Sequence, residues 1–296
     1  MSGSGNLNKK HVLHIISGDL WAGAEVQAYH VLCGLLRTNT FRVSCVVFNK
    51  GMLFDKLLEE GISTMLLDET KHNSFQLMRK LSDIIARGGF DILHCHAYKE
   101  HFIGLAAVML SLRRIPIVRT VHGAGGVFKG LPFMKYLRSS VVVQLDEALK
   151  KYGARALIAV SKDLEKILSG NKVRAKIVQI YNSIYVDEKR IDQKSEDVRK
   201  KYGVGDCFWI GTATRLADPK NLPMLIEAGK LMSNTNIPFK ISIFGEGMLR
   251  GQLQELIDKY QLTERIILQG FESEILSVMN ALDLFVLCSK HEGLPR

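Results

Sequence analysis

Short apolar runs alternate with amphipathic helical stretches along this chain, and this alternation limits the possible folds more than any other feature. The first run, residues 12–16, stops at a polar loop that contains a glycine, and a helical pattern begins at Ala24. Similar runs recur at residues 42–48, 62–67, 91–95, 115–121, 156–160 and 176–181, and then at 208–213, 239–244, 265–268 and 284–287. Strands that alternate with helices form parallel sheets with helices on both faces. The sequence therefore predicts an α/β protein.

The length and a lapse in the apolar pattern predict two domains. The chain has 296 residues, which is about twice the usual size of one domain. Between residues 187 and 201 the pattern gives way to a charged stretch, and it resumes near Cys207. We predict a flexible tail at residues 1–10, a first Rossmann-like domain at 11–185, a linker at 186–205 and a second Rossmann-like domain at 206–296.

The charge and the cysteines narrow the class of protein. A net charge of +10 suits nucleic acid, an anionic membrane surface or an anionic substrate. No basic run is interleaved with aromatic residues on one strand face, which argues against nucleic acid. The five cysteines include no Cys-x-x-Cys pair, and an odd count without motif spacing indicates reduced thiols in a cytoplasmic protein. No apolar run approaches the roughly 20 residues that span a bilayer.

A loop with two cations is the main candidate site. Arg215 and Lys220 follow the predicted strand at 208–213, and a helix is predicted to open at Asn221. A fork of donors, a point charge and a helix start together suit a diphosphate. A solvated loop with two basic residues is the alternative interpretation.

The first glycine loop matches neither common phosphate motif. Gly18 and Gly23 have P-loop spacing, but the next residues are Ala24 and Glu25 where lysine and serine or threonine are required. No G-x-G-x-x-G is present, so a standard ATP or NAD site is not predicted. In parallel sheets ligands bind beyond the carboxyl ends of the strands. That rule places Gly18, Gly23, His96 and the loop after His122 on one rim, although a lone histidine such as His122 is more often structural.

Two further stretches have both a structural and a functional interpretation. His94, His96 and His101 match no zinc spacing, so we predict no metal. Residues 128–138 mix apolar and basic side chains before a helix, which fits either a packed helix or a contact with an anionic membrane surface. We keep the membrane contact as a hypothesis.

An ordered set of motifs resembles one enzyme family. The motifs are Thr214-Arg215-Leu216 with Lys220-Asn221, Phe244-Gly245-Glu246-Gly247, Gly270-Phe271, Leu284-Phe285-Val286-Leu287 and Glu292-Gly293-Leu294-Pro295. In this order they resemble the donor-binding half of retaining glycosyltransferases of the two-Rossmann-domain (GT-B) type, family four. The first domain is similar to this family at Trp21-Ala22-Gly23-Ala24-Glu25 and at His122-Gly123.

The resemblance implies two Rossmann-like domains that face each other across a cleft, the first on the acceptor side and the second a partial nucleotide-sugar donor domain. It implies a nucleotide-diphosphate-sugar between them and no metal or other cofactor. It implies transfer of a sugar to a glycan or lipid-linked acceptor in cell-surface polysaccharide, lipopolysaccharide or glycolipid biosynthesis. The implied location is the cytoplasm, with peripheral attachment to the inner face of the cytoplasmic membrane as a hypothesis. The implied diphosphate contacts are Arg215, Lys220 and the backbone of Gly23. The implied sugar and nucleotide contacts are His122 and Glu292 as catalytic residues, with Gly245, Gly247, Gly293 and Leu294.

One departure from the family keeps alternatives open. The family has a second glutamate eight positions after the one that matches Glu292, which would fall beyond Arg296. We therefore expect a truncated second domain or a degenerate member, and a non-catalytic relic that acts as a binding protein is the alternative function. A sugar-nucleotide epimerase or a dehydrogenase is a third hypothesis, against which the missing dinucleotide fingerprint counts.

Overall fold

The structure is a computed structural model that describes residues 9–19, 21, 23–123, 133–171, 173–183 and 194–290, with the backbone alone for 133–140. The chain forms two compact units, which divide between Ile184 and Tyr185. Its described part contains no helix that is both long enough and apolar enough to cross a membrane.

The described part of the first unit is built on a parallel sheet of seven strands. In chain order these are β1 (His11–Ile16), β2 (Arg42–Val47), β3 (Ser63–Leu66), β4 (Ile92–Cys95), β5 (Ile117–Val121), β6 (Ala156–Ala159) and β7 (Lys176–Gln179). Their spatial order is β3-β2-β1-β4-β5-β6-β7. The helices are α1 (Gly23–Thr38), α2 (Met52–Glu59), α3 (Ser74–Gly88), α4 (Tyr98–Leu110), α5 (Phe133–Ala148), which continues as a π-helical turn (Leu149–Gly153), and α6 (Lys162–Gly170).

Alternating side chains direct the helices to the two faces of this sheet. In β1, Leu13 and Ile15 belong to a buried cluster that also contains Leu81 of α3 and Ile103 of α4. The neighbouring Ile16 belongs to a separate cluster with residues of α1 and α2. Because α1 follows β1 and α4 follows β4 on opposite faces, the chain diverges at the carboxyl ends of these adjacent strands. In open parallel sheets such a divergence forms a ligand-binding crevice.

The second unit repeats this plan on a smaller scale. Its described elements are α7 (Ser195–Lys201), β8 (Phe208–Ala213), a 3-10 turn (Asp218–Lys220), α8 (Leu222–Met232), β9 (Phe239–Phe244), α9 (Arg250–Lys259), β10 (Ile266–Gly270), α10 (Ile275–Ala281) and β11 (Leu284–Phe285). The four strands are parallel, in the order β10-β9-β8-β11. The predicted α/β class with parallel sheets is confirmed.

Helix α7 lies in the stretch that the sequence predicts as a linker. Its Val198 is buried and packs with Trp209 and Val278, while Arg199 bonds the backbone oxygens of Cys207 and Ala281. Residues from 194 onward therefore pack as part of the second unit. The charge run is typical of a solvated linker and helix, because only one of the seven residues of α7, Val198, is buried.

Candidate functional site

The loop after β8 presents both predicted cations. Arg215 is exposed and Lys220 is half-buried, and Lys220 ends the 3-10 turn that leads to α8. The residue before α8, Asn221, has φ 52° and makes no side-chain cap hydrogen bond. The positive end of the helix dipole thus adds to the charges of Arg215 and Lys220. The helix begins one residue later than predicted, because Asn221 adopts the left-handed conformation.

Two glycines let the loop after β9 pack against the loop that carries Arg215. A Cβ at Gly245, where φ is +126°, would lie 2.0 Å from the Thr214 carbonyl oxygen, and one at Gly247 would lie 2.3 Å from the Leu216 oxygen. The amide of Leu216 donates to the Glu246 oxygen at 3.0 Å. Gly245 and Gly247 therefore fix the backbone on both sides of Arg215. Their contact with the nucleotide remains a prediction.

The chain after β11 holds the other end of the same loop. The amide of Lys290 donates to the Pro219 oxygen at 2.8 Å, and the Cys288 thiol donates to the Lys220 oxygen at 3.2 Å. Burial raises the pKa of this thiol, so it stays protonated and remains a donor at neutral pH. Cysteine spacing predicts only a reduced thiol at Cys288, because spacing does not reveal a contact with a loop 68 residues away.

We expect Gly245→Ala to unfold the Arg215 loop. The added Cβ meets the Thr214 oxygen, and the positive φ alone costs a non-glycine residue about 1–3 kcal/mol. The expected results are a lower Tm in a thermal melt and loss of nucleoside diphosphate binding. Gly251→Ala is the matched control, because a Cβ there has open space within α9, where alanine is favoured over glycine by about 1 kcal/mol. Equal melting temperatures for the two variants would contradict the packing role.

In the first unit, Gly23 and His122 lie at the carboxyl ends of strands. Gly23 is the exposed first residue of α1, and a Cβ on it would meet no described atom within 4 Å. The half-buried His122 follows β5, and its ring stacks on His96 with centroids 5.9 Å apart and planes at 20°. Packing therefore does not require glycine at position 23, and a buried neighbour sets the orientation of His122.

His122 stacks on a group of buried imidazoles that come from β1, from β4 and from the residue that follows β4. His14 Nδ1 lies 3.1 Å from His96 Nε2, and His94 Nε2 bonds the Thr120 hydroxyl at 2.8 Å. Desolvation by burial lowers the pKa of His14, and it lowers the pKa of His94 to about 4. Both rings are therefore neutral at pH 7.

The stacking of these rings bears on metal binding. His14, His94 and His96 each place a ring nitrogen within 4.8 Å of the others. The planes of His94 and His96 lie at 24° with centroids 4.5 Å apart, so these two rings stack. Zinc needs ligand atoms that converge in a tetrahedron, and the absence of a metal stays a prediction. Proximity in the sequence groups His101 with His94 and His96, but His101 belongs to α4 and lies outside this group.

The chain matches known families over both units. Residues 21–188 match the model of Glycosyltransferase Family 4, and residues 194–296 match the model of Glycosyl transferases group 1. The chain belongs to glycosyltransferase family 4. The resemblance of the motifs to glycosyltransferase family 4 is confirmed, as is the assignment of the chain to the glycosyltransferase enzymes.

This family 4 chain is similar to several named proteins. EpsF of Bacillus subtilis (strain 168) is 26% identical over 299 residues, which cover 98% of this chain and 76% of EpsF. The UDP-Gal:alpha-D-GlcNAc-diphosphoundecaprenol alpha-1,3-galactosyltransferase of Escherichia coli is 26% identical over 280 residues, covering 88% of this chain and 69% of that protein. The match to glycosyltransferase MJ1607 of Methanocaldococcus jannaschii covers 56% of that protein's length.

Solved structures confirm the two-Rossmann-domain (GT-B) fold class of the family 4 chain. Anabaena Alr3699/HepE in complex with UDP and glucose has a TM-score of 0.73 at 20% identity, over 95% of this chain and 74% of that one. A sucrose-phosphate synthase from Thermosynechococcus elongatus has a TM-score of 0.73 at 15% identity, over 97% and 77% of the two chains.

Some predicted contacts lie outside the described residues. These are Glu292, Gly293 and Leu294, and the segment 128–132 of the proposed membrane contact. Their roles in the family 4 chain stay predictions.

Proposed function

We propose that this glycosyltransferase moves a hexose-type sugar, with retention of its anomeric configuration, from a nucleotide-diphosphate-sugar to a hydroxyl of a glycan or lipid-linked acceptor. The observation that carries the proposal is that Arg215 and Lys220 lie on the same loop before a helix start. Neighbouring segments hold this loop in place from both sides. The diphosphate is the leaving group, and negative charge grows on it as the glycosidic bond breaks. Fixed cations next to that charge favour the transition state over the bound donor.

This charge arrangement needs no metal ion. Arg215 provides up to five donors in a planar fork and Lys220 a compact charge, which together suit the oxygens of a diphosphate. In the proposed complex the backbone of Gly23 approaches the same phosphates. His122 and Glu292 contact the sugar as catalytic residues, and Gly293 and Leu294 bind the donor through their backbone.

The names of the relatives indicate a donor and an acceptor to propose. The Escherichia coli relative carries UDP-galactose and a diphosphoundecaprenol acceptor in its name, and the Anabaena structure contains UDP and glucose. We propose a uridine nucleotide donor and a lipid-linked acceptor in polysaccharide or glycolipid synthesis. The net charge of +10 suits a site at the inner, anionic face of the cytoplasmic membrane. A non-catalytic binding protein is not favoured, because glycosyltransferase family models match both units.

The proposal is tested by incubating the full-length protein with a panel of UDP-, GDP- and ADP-sugars and an alkyl-diphosphate-linked N-acetylhexosamine. We expect transfer or donor hydrolysis with at least one UDP-sugar, and NMR of the first product should show the anomeric configuration of the donor. A product of opposite configuration would reject retention. No release of nucleotide from any donor would reject the transferase proposal itself.

A further inference from the structure

A third cation lies against the loop that carries Arg215 and Lys220. Lys290 follows β11, and its ammonium nitrogen lies 3.3 Å from Asp218 Oδ1. Its backbone amide also donates to the Pro219 oxygen at 2.8 Å. Because β11 pairs with β8, the segment after β11 lies beside the loop after β8. The contact therefore joins two residues that are 72 positions apart in the chain.

Asp218 is a carboxylate in a loop that is proposed to bind an anion. It is the first residue of the 3-10 turn that ends at Lys220. The charged side chains of residues 214–221 are Arg215, Asp218 and Lys220, which give the loop a net charge of +1. The Asp218 side chain is 77% exposed, so it can act on a ligand in the solvent next to it. A carboxylate beside a diphosphate repels it, and Asp218 therefore opposes the binding that Arg215 and Lys220 favour.

The charge of Lys290, rather than its contribution to packing, distinguishes this residue. Its side chain is 50% exposed, and an ion pair as exposed as this one adds little to the stability of a fold. The backbone bond to Pro219 and the bond from the Cys288 thiol to the Lys220 oxygen already hold the loop. What the Lys290 side chain adds is one positive charge placed against the Asp218 carboxylate.

We propose that Lys290 is a positioning residue for the proposed diphosphate site, which strengthens donor binding by neutralising the charge of Asp218. The inference rests on the proposed binding of a nucleotide-diphosphate-sugar at this loop. It adds to that site a residue that lies between two of the motifs, Leu284-Phe285-Val286-Leu287 and Glu292-Gly293-Leu294-Pro295, and belongs to neither. With Lys290 in place, the cations of the loop act on the phosphates without opposition from the carboxylate.

A double-mutant cycle on the full-length protein tests this role. The Kd of UDP is measured by isothermal titration for wild type, Lys290→Met, Asp218→Asn and the double variant. Methionine keeps the unbranched stem of lysine and leaves the backbone bond to Pro219 in place. For Lys290→Met we expect the Kd to rise about threefold to fivefold, which is the size of effect that one exposed charge pair produces. In the Asp218→Asn background the same substitution should change the Kd by less than about 1.5-fold, because no carboxylate is left to neutralise.

Two further readouts separate an effect of charge from a change in loop structure. The rise in Kd for Lys290→Met should be smaller for UMP than for UDP and absent for uridine, because repulsion by Asp218 grows with the charge of the ligand. The rise should also shrink between about 0.1 M and about 1 M salt, over which the Debye length falls from about 10 Å to about 3 Å. Lys290→Arg keeps the charge and should bind UDP like wild type.

Lys259→Met is the matched control, because it removes the same charge from the last turn of α9, the end of that helix farther from the loop after β9. It should bind UDP like wild type. A wild-type Kd in Lys290→Met would overturn the proposal. An equal rise with and without Asp218→Asn would overturn it as well, because Lys290 would then act independently of Asp218. A wild-type protein that does not bind UDP would instead reject the proposed function, and this inference with it.

Discussion

The double substitution Arg215→Ala with Lys220→Ala is expected to remove nucleoside diphosphate binding. A hydrogen bond to a charged group contributes about 1.5–3 kcal/mol. Loss of one at each position weakens binding by about 4 kcal/mol, or roughly 10³-fold in Kd. Isothermal titration with UDP measures this change directly. Each single variant should lose part of it, and the remaining affinity should depend less on salt concentration, because fewer charges face the phosphates.

The control for this experiment lies on the same helix. Lys230 is in the last turn of α8, with its ammonium 4.3 Å from the Tyr260 ring centroid. Lys230→Ala removes one positive charge from the second unit at the opposite end of the helix from Lys220. If Lys230→Ala weakened UDP binding as much as Lys220→Ala, net charge would explain the effect, and the site assignment would be wrong. Unchanged binding in the double variant would also contradict it.

The strands and the loop that carries Arg215 and Lys220 are predictable from the sequence because their signals are local. A buried parallel strand is a short apolar run, and β8 and β9 have the bounds predicted from such runs. Arg215 and Lys220 could be selected because a strand end and a helix start lie a few residues on either side of them. Periodicity alone was enough to place these groups at one edge of a sheet.

The rest of the site depends on strand order, which sequence spacing does not encode. His14 lies next to His94 and His96 only because β4 pairs with β1. Along the chain, His14 and His96 are 82 residues apart. Proximity in the sequence therefore groups His101 with His94 and His96, although His101 belongs to a helix. The packing of Gly245 against Thr214 likewise requires the pairing of β8 with β9.

We expect acid to unfold the first unit before the second, because the first unit contains buried neutral histidines. Desolvation by burial lowers the pKa of His94 and that of His101 to about 4, whereas an unfolded histidine has a pKa of about 6.5. Below pH 6.5 the unfolded chain thus binds protons that the folded unit does not. The contribution of the two neutral rings to the free energy of unfolding of the first unit is complete above pH 6.5. It is lost as the pH falls to about 4, by about 3 kcal/mol for each ring.

The second unit provides an internal control, because residues 194–290 include no histidine and the one histidine of the unit, His291, follows them. Its carboxyl group Glu272 is held by the Tyr202 hydroxyl at a pKa of about 2, so its contribution to stability is lost only below the ordinary glutamate pKa of about 4.3. Since whole domains are stable by only about 5–15 kcal/mol, the loss from His94 and His101 is enough to open the first unit first.

Hydrogen exchange measured by mass spectrometry at pH 7, 6 and 5, corrected for the intrinsic exchange rate, separates the two units. Protection in β1, β4 and α4 should fall with each step, while protection in β8 and β9 stays constant. His94→Gln and His101→Gln should each reduce the slope for the first unit by about one proton. If both units lost protection together, or if neither did above pH 5, the neutral buried imidazoles would not be what limits the stability of the first unit in acid.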